Sequence, residues 1–310
     1  MLQTHPNIEY LFVDDASNDG SVNLLRSLQN QYPSRIDQCK IFENEKNKGV
    51  AFCRRQGMKN ATGDYIIHVD SDDYVAYDFI EKMLGKALET QSDVVICNFS
   101  RVYKEKIKVN SDFKELERSE LINRLLIGTA HNALWNKLIR RSIITDNNLY
   151  PDDSFRLLED KSITFKFIYF AKKVAFINEP LYFYRKRDNS LTDINQRLLM
   201  PMLKSLLRLV DDFFKSYPSD ETIESGIKAF KVGAAGSLLI YKPEDEDLKI
   251  LLNEIPISII KTNTYIPFYY RLALYAKKLG IPWVVSLIRK IIDIHSGYYK
   301  IKNTTNALVN

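Results

Sequence analysis

Two acidic clusters stand directly after apolar segments near the start of the chain. Asp14 and Asp15 follow Ile8–Val13, and the run Asp70-Ser71-Asp72-Asp73 follows Tyr65–Val69. Carboxylates packed this closely repel one another unless a cation or a hydrogen-bond donor compensates them. Oxygen ligands suit Mg²⁺ or Mn²⁺, which take a few carboxylates and complete their shell with phosphate oxygens of a ligand. The alternative is that these Asp residues only mark turns, and the residues alone leave it open.

Two other charged features could take part in chemistry. Residues 47–55 open a helix, whose N-terminus and Arg54 or Arg55 could face an anion. Glu159 and Asp160 open another helix, where a carboxylate is kept ionised and could act as a general base. Both features also fit a structural interpretation, as a solvated basic face and as acidic residues that complement the helix dipole.

The order of apolar and amphipathic segments over residues 8–100 predicts the elements that must position these side chains. Strand signals alternate with helical ones, which is typical of a mostly parallel sheet covered by helices. In open α/β sheets ligands bind beyond the carboxyl ends of the strands, where both acidic clusters fall. The expected strands are Ile8–Val13, Lys40–Phe42, Tyr65–Val69 and Val94–Phe99, and the expected helices are Ser21–Asn30, Gly49–Lys59 and Phe79–Leu88.

The remainder of the chain is predicted to be less regular at first and then helical. Residues 101–190 show two helical segments, Ser119–Ile127 and Leu157–Phe170. From about residue 197 the pattern is almost entirely helical, and this shift predicts a first domain over 1–195 and a helical region over 196–310. The helices expected there are Leu198–Phe214, Ile223–Tyr241, Leu248–Leu252, Tyr265–Lys278 and Trp283–Ile294.

The composition excludes several classes of protein. Apolar residues make up 45% and charged residues 27% of the 310 residues, which excludes a disordered or collagen-like chain. The formal net charge is +5. Its basic excess lies in residues 255–310 and not over a broad face, so no nucleic-acid partner is expected. Three cysteines without metal-binding spacing favour a cytoplasmic location, and no segment reaches the roughly 20 apolar residues of a membrane span.

Five motifs, taken in order along the chain, resemble those of the family-2 glycosyltransferases. Residues 13–21 (VDDASNDGS) are similar to the VDDxSxDGS signature of that family, and residues 47–54 resemble its N-x-G-x-x-x-x-R helix. The run 70–73 (DSDD) resembles the D-x-D-D metal motif, and residues 135–138 (WNKL) resemble the short motif before the base. Glu159 and Asp160 resemble the catalytic E-D pair. The resemblance covers roughly residues 1–190.

The resemblance implies a GT-A type fold, in which a mixed, mostly parallel α/β sheet is flanked by helices, with a helical C-terminal extension in this chain. It implies an inverting, metal-dependent transfer of a sugar from a nucleotide-diphospho-sugar, a UDP-sugar first of all. The acceptor would be a hydroxyl of a saccharide or a lipid-linked saccharide. Enzymes of this kind commonly serve the synthesis of bacterial surface polysaccharides.

The resemblance also implies a role for individual residues. The donor would be bound by Asp14, Asp15, Arg54 and Asp70. Mg²⁺ or Mn²⁺ would be held against the diphosphate by Asp70 and Asp72. Asp160 would accept the proton of the attacking hydroxyl, with Glu159 as its catalytic neighbour. The acceptor side would be lined by His131, Trp135 and Lys137.

Two alternative functions remain beside this hypothesis. The family normally begins with a strand and a P-x-Y-N turn, and this chain is expected to start at the end of the following helix, near residues 3–8. An inactive, truncated glycosyltransferase remnant is therefore the first alternative. The second is a nucleotidyltransferase, which also sets strand-end carboxylates around Mg²⁺ and phosphates. Such enzymes usually show a Gly-rich N-terminal loop, which this sequence does not contain.

The basic C-terminal tail suggests contact with a membrane. Residues 265–294 combine Trp283 and branched aliphatic residues with basic residues, and residues 255–310 hold eight Lys or Arg against one Asp. This combination fits a helix that lies on an anionic membrane surface. Peripheral contact with the inner face of the cytoplasmic membrane would suit a lipid-linked acceptor. The alternative is that these helices form the packed lid of a C-terminal subdomain.

Overall fold

The computed structural model describes residues 1–103, 106–110, 115–186, 196–242 and 244–292. Its contacts divide the chain into two units, Met1–Ile194 and Asn195–Asn310. The first unit combines strands and helices, and the described part of the second is helical. Each unit is built differently, so they are described in turn.

The first unit opens with a parallel pair of strands and the helices that follow each of them. Strand β1 (Tyr10–Asp14) pairs with β2 (Cys39–Glu43), and a short 3₁₀ helix precedes β2. Helices α1 (Ser21–Gln31) and α2 (Val50–Asn60) begin after Gly20 and Gly49. These glycines have φ angles of 81° and 90°, which only glycine adopts without strain.

The main sheet of the first unit has six strands in the described residues, β3 (Tyr65–Ile66), β4 (Tyr74–Val75), β5 (Val94–Val102), β6 (Ile107–Asn110), β7 (Lys137–Arg140) and β8 (Val174–Arg185). Their order is β3-β7-β5-β8-β4, with β6 paired to β5. The long strands β5 and β8 are parallel, and a register shift near Cys97 and Asn98 marks an irregularity between them. The helices are α3 (Phe79–Thr90), α4 (Arg118–Ile127), α5 (Arg141–Asp146) and α6 (Glu159–Phe170).

The core of the first unit lies between α3 and the main sheet. Phe79, Met83 and Ala87 lie one helical turn apart and are fully buried, as are the inward residues of β5. They form one cluster with aromatic residues of the neighbouring segments, among them Trp135 and Tyr182. This cluster supports the loop that carries the second acidic run, since Tyr182 belongs to the cluster and its hydroxyl forms hydrogen bonds with Asp70 and Asp73 of the loop.

The predicted mixed α/β architecture is confirmed, with helices flanking the sheet and a helical C-terminal region. The sheet is mixed, as predicted: its parallel pairings join the longest strands, and its antiparallel pairings add short ones. Two strand pairings are parallel, β1 with β2 and β5 with β8, and four are antiparallel. The antiparallel pairings involve β3, β4, β6 and β7, which have two to four residues each and are too short to give a periodic pattern.

The second unit is a group of helices arranged around a buried central helix. Helix α8 (Glu221–Tyr241) is capped by the side chain of Asp220, which accepts a hydrogen bond from the Ile223 amide at 2.9 Å. Gly236 of α8 lies so close to Tyr270 that a Cβ atom would come within 3.0 Å of its side chain. The other helices are α7 (Gln196–Ser216), α9 (Glu246–Glu254), α10 (Ile257–Thr262), α11 (Phe268–Lys278) and α12 (282–292).

Two expectations for the second unit concern its limits and the membrane. The predicted helix Trp283–Ile294 corresponds to α12, but residues 293 and 294 lie outside the described residues. Across the described ranges, every helix is too short or too polar to cross a lipid bilayer.

Candidate active site

The second acidic run forms a loop that a tyrosine and a backbone amide hold in place. The two carboxylate oxygens of Asp73 accept hydrogen bonds from the Tyr182 hydroxyl at 2.7 Å and the Arg185 amide at 2.8 Å. The Tyr182 hydroxyl in turn accepts a hydrogen bond from the Asp70 amide at 3.1 Å. The Arg185 guanidinium also donates to the backbone carbonyl of Asp72. Asp73 therefore fixes the conformation of the loop, and the loop in turn positions the side chains of Asp70 and Asp72.

Arg54 joins this loop to the second pair of acidic residues. Its guanidinium lies 3.0 Å from Asp70 Oδ1 and 2.9 Å from Glu159 Oε1, and it also donates to Asp160 Oδ1. Arg54 is only 9% exposed, so its charge is largely shielded from water. The fold thus brings helix α2, the acidic loop and the start of α6 together around one cation. We call Arg54, Asp70, Glu159 and Asp160 the Arg54 cluster.

The Arg54 cluster holds more negative than positive charge. One guanidinium faces three carboxyl groups, so the cluster is anionic when all three are ionised. Burial raises the pKa of Asp160 above the ordinary range of an aspartate, while the Arg54 guanidinium acts in the opposite direction. Burial opposes the charge of Arg54, but the neighbouring carboxylates outweigh it and raise its pKa. A cluster with this imbalance attracts a further cation and can accept a proton at Asp160.

Two residues with strained backbones flank the acidic residues. Ala16, directly after Asp15, has a φ of 61°, and Leu158, directly before Glu159, has a φ of 64°. Residues other than glycine rarely adopt this conformation, and such strain concentrates at functional sites. Leu158 is the residue directly before α6, so its backbone conformation determines the direction in which the first turn of α6, with Glu159 and Asp160, begins.

The two residues of the first acidic cluster have different surroundings. Asp15 accepts hydrogen bonds from the Lys48 amide at 2.8 Å, the Gly49 amide at 2.7 Å and the Asn44 side chain at 2.9 Å. Burial alone would raise the pKa of Asp15, but these hydrogen bonds lower it. Both of its oxygens are thus engaged in fixing the start of α2. Asp14 accepts one hydrogen bond on Oδ2, from the Ser17 amide at 3.0 Å.

Asp14 also lines an open cavity at the carboxyl ends of β1 and β2. The cavity has a volume of about 530 Å³, and polar groups contribute much of its wall. Besides Asp14, its lining includes Ser17, Asn18, Gly20, Arg26 and Asn44. Asp15 is not among the lining residues. The two adjacent aspartates therefore have different surroundings: Asp14 faces the cavity, and Asp15 binds the start of α2.

The three residues expected on the acceptor side lie deeper than the sequence suggested. Lys137 is fully buried, and its ammonium donates to the carbonyls of His131 at 2.9 Å and Ala133 at 2.6 Å and to Asn136 Oδ1 at 2.9 Å. Trp135 is 3% exposed and stacks on Tyr182 with ring centroids 4.2 Å apart. Both side chains are thus held by neighbouring groups inside the fold, and their role on the acceptor side stays a prediction.

His131 is only partly buried and packs its ring against Phe99 and Trp135. Its Nδ1 accepts a hydrogen bond from the Ala133 amide at 3.2 Å. Burial, reinforced by Lys137 and Arg101, lowers the pKa of His131 to about 3. The imidazole is therefore neutral at ordinary pH, and of the three expected residues it is the one left partly accessible.

Sequence reasoning missed the residues that position the site. Tyr182 and Arg185 lie on β8, for which no strand was predicted, and Asp73 was grouped with its acidic neighbours. His68 was placed in a strand, although β3 ends at Ile66. Burial, with Arg54 close by, lowers the pKa of His68 to about 3, and within the described structure its Nε2 has no hydrogen-bond partner. In the sequence, only the position of His68 two residues before Asp70 indicated that His68 lies close to the Arg54 cluster.

The donor set fits a divalent cation that shares its shell with a ligand. In the described ranges no three His, Cys, Asp or Glu side chains converge as a ready-made metal site. Asp70 and Asp72 offer two carboxylates on one loop, and Mg²⁺ is commonly held by one or two carboxylates plus phosphate oxygens. The residues therefore fit an ion that arrives with a phosphate-bearing ligand, and they do not fit an ion held by protein alone.

Comparison with known proteins supports one family for the first unit. The family model described as Glycosyl transferase family 2 matches residues 1–147. EpsH of Bacillus subtilis (strain 168) is 32% identical over 204 residues, a match that covers 64% of this chain and 58% of EpsH. The chain therefore matches less than two thirds of the length of that relative.

Two solved structures show the fold. TarS 1–349 of Staphylococcus aureus, in complex with UDP-GlcNAc, aligns with a TM-score of 0.70 at 17% identity, over 95% of this chain and 85% of that one. The mannosyltransferase PcManGT from Pyrobaculum calidifontis, solved with GDP-Man and Mn²⁺, aligns with a TM-score of 0.52 at 13% identity. That alignment covers 90% of this chain and 80% of PcManGT. At these identities the likeness concerns the fold.

Proposed function

Since residues 1–147 belong to glycosyl transferase family 2 and the chain has a GT-A fold, we propose that the protein transfers a sugar from a nucleotide-diphospho-sugar to an acceptor hydroxyl. The observation that carries the proposal is the Arg54 cluster. In this cluster a partly buried carboxyl group, Asp160, and Asp70 of the acidic loop pair with the same guanidinium, which supports a base close to the loop proposed for the cation and the phosphates. Inversion at the sugar carbon belongs to the same proposal, because one base acting on one hydroxyl suffices for a single displacement.

The donor is proposed to bind between the cavity at Asp14 and the acidic loop. Asp14 and Asn18 offer polar contacts for a base and ribose. Asp70 and Asp72 would hold Mg²⁺ or Mn²⁺ beside the diphosphate, where the ion would neutralise charge on the departing nucleotide. A UDP-sugar is the first choice of donor, since TarS, which has the same fold, was solved with UDP-GlcNAc.

Asp160 is proposed as the general base. Its burial favours the neutral form, whereas Arg54 favours the carboxylate, so the group can both hold and release a proton near neutral pH. Arg54 is then a positioning residue, which keeps Asp160 and Glu159 in place while Asp70 engages the donor. Glu159 shares Arg54 with Asp160 and contributes to the same charge balance.

The acceptor is proposed to be a saccharide or a lipid-linked saccharide, with His131 as the accessible member of the acceptor side. Synthesis of a bacterial surface polysaccharide is the corresponding proposal for the process it serves. A lipid-linked acceptor would also bring the enzyme to a membrane, through segment 265–294 of the second unit.

A doubly labelled donor tests the proposal directly. The full chain is incubated with Mn²⁺ and a UDP-sugar labelled with ¹⁴C in the sugar and ³²P in the β-phosphate, together with a panel of saccharide and lipid-linked acceptors. Glycosyl transfer moves ¹⁴C alone to the acceptor and leaves ³²P in UDP. A parallel incubation with pyrophosphate covers the alternative, because a nucleotidyltransferase would transfer the uridylyl group to pyrophosphate, forming UTP and releasing the sugar 1-phosphate with ¹⁴C and ³²P together. Tight donor binding without transfer to any acceptor would identify an inactive remnant.

A further inference from the structure

Helix α12 exposes an apolar stripe to solvent. Trp283, Leu287 and Ile291 are spaced four residues apart and therefore lie on one face of the helix. Trp283 is 68% exposed, and the other two are at least half exposed. The opposite face carries Val285 and Ile288, which are buried. The helix is thus packed on one side and apolar on both, which is unusual for a helix that faces only water.

Helix α11, directly before it, repeats this arrangement. Ala273, Leu274 and Ala276 are buried against the rest of the unit, and α11 packs closely on α8 through Tyr270. Phe268 and Leu272 lie on the exposed side, and Phe268 is 67% exposed. Two consecutive helices therefore leave large apolar side chains in solvent although both are anchored to a core. Large exposed apolar side chains aligned along a helix face are typical of an interaction surface.

The charges around these stripes have one sign. Residues 255–292 contain no Asp or Glu. The six basic residues of this segment are Lys261, Arg271, Lys277, Lys278, Arg289 and Lys290. Two of them are fixed by the fold, since Arg289 donates to the Ile240 carbonyl and Lys278 to the Ile255 carbonyl. Lys277 and Lys290 are exposed, and Lys290 lies on the face of the α12 stripe, three residues after Leu287.

We propose that the exposed stripes of α11 and α12 dock on the surface of an anionic lipid membrane. Exposed Trp and Phe, aliphatic side chains at helical spacing and flanking Lys residues are the features by which a helix lies in a membrane interface. The uniform positive charge fits a surface of anionic headgroups. A second copy of the chain is a poorer occupant, because it would bring the same positive charge against this face.

Sedimentation of the full chain with lipid vesicles tests the proposal. Vesicles of phosphatidylcholine with phosphatidylglycerol are compared with pure phosphatidylcholine, at low and at high salt. The protein is expected to sediment with the anionic vesicles at low salt and to be released at high salt, because the Debye length shortens from about 10 Å at 0.1 M to about 3 Å at 1 M. Equal sedimentation with both kinds of vesicle, or none at any salt, overturns the proposal.

Paired variants show which residues make the contact. Lys277→Gln with Lys290→Gln should reduce the partition coefficient on anionic vesicles by on the order of 30-fold. The control, Lys215→Gln with Lys249→Gln, removes the same charge from exposed lysines on α7 and α9 and should leave partitioning within about twofold. An equal loss in both pairs would mean that net charge alone attracts the protein, and it would overturn the assignment to α11 and α12.

A second pair isolates the apolar contribution. Leu287→Ser with Ile291→Ser should weaken vesicle binding by about tenfold or more, since each side chain loses its transfer into the interface. Leu88→Ser with Ile250→Ser changes equally exposed residues on α3 and α9 and should bind like the parent. Thermal melts of all variants check that each is folded. If the first pair instead converts a dimer into a monomer, as seen by light scattering without lipid, the stripes are a protein interface and the proposal is wrong.

Discussion

The two acidic clusters of the first unit contain the same residue type and divide their tasks in the same way. In each, one aspartate has both carboxylate oxygens engaged by neighbouring groups, Asp15 at the start of α2 and Asp73 under the acidic loop. The other aspartates differ: Asp14 lines a cavity, and Asp70 faces Arg54. A run of acidic residues is therefore a mixture of residues that shape a loop and residues that the loop presents.

The presented residue Asp72 should show the largest effect. Asp72→Ala is expected to lower the rate of sugar transfer by more than a hundredfold, because the stabilisation of transition-state charge by a metal is worth several kcal/mol. The fold should persist, since one of several clustered carboxylates is removed and their repulsion falls. Initial rates with and without EDTA, together with a thermal melt, check both parts. Sugar transfer by Asp72→Ala in the presence of EDTA would contradict the proposed role of a metal ion.

Asp14 and Asp15 offer the sharpest test of the division. Asp14→Asn should weaken donor binding by roughly tenfold to a hundredfold, the value of a hydrogen bond to a charged group, with little change in stability. Calorimetric titration with UDP in the presence of Mn²⁺ measures the affinity. Unchanged UDP affinity in Asp14→Asn would contradict the proposal that the nucleotide binds in the cavity beside β1 and β2.

Asp15→Asn should show the opposite result. The amide that replaces one carboxylate oxygen would face the backbone N–H of Lys48 or Gly49, and an unsatisfied donor costs about 1–3 kcal/mol. Denaturant unfolding of Asp15→Asn should therefore give a lower free energy of unfolding than the parent, and Asp14→Asn serves as its matched control. Equal stability of the two variants would contradict the division of tasks.

A pH profile gives the smallest expected effect. If Asp160 is the base, as proposed, activity should fall as pH drops through its pKa, which burial places above the ordinary carboxyl range near 4. The negative charge of Glu159 also raises that pKa, so Glu159→Gln should move the acid limb of the kcat profile to lower pH. Asp153→Asn, which breaks the ion pair of Arg55 outside the cluster, should leave the limb in place. A shift to higher pH in Glu159→Gln would contradict this charge balance.

The sequence predicted the parts of the fold that have a clear period. The strand before the first acidic run, the helices α1, α2 and α3, and the long helices of the second unit lie within a few residues of their predicted bounds. The short strands β4, β6 and β7 and the long strand β8 were missed, because two to four residues carry no period and β8 is interrupted by Pro180. That omission hid Tyr182, and with it the way the acidic loop is held.

The candidate site was predicted in outline but not in its contacts. Motif order pointed to Arg54, Asp70 and Asp160 separately, and their roles stay predictions. Nothing in the spacing indicated that Arg54 contacts Glu159 and Asp160, which follow it by 105 and 106 residues, because such a contact depends on tertiary packing. The burial of Lys137 could not be predicted from the sequence either, since lysine side chains are mostly exposed.

The central claim is that Asp160 within the Arg54 cluster is the base for sugar transfer, and one pair of variants tests it most directly. Initial rates of transfer and UDP affinity are measured for Asp160→Asn and for Asp153→Asn, each of which removes one arginine-paired carboxylate near α2. The account predicts that Asp160→Asn lowers kcat by about 10²–10⁴ with donor affinity little changed, and that Asp153→Asn stays near the parent rate. Normal turnover in Asp160→Asn, above all with loss of activity in Glu159→Gln, would contradict it.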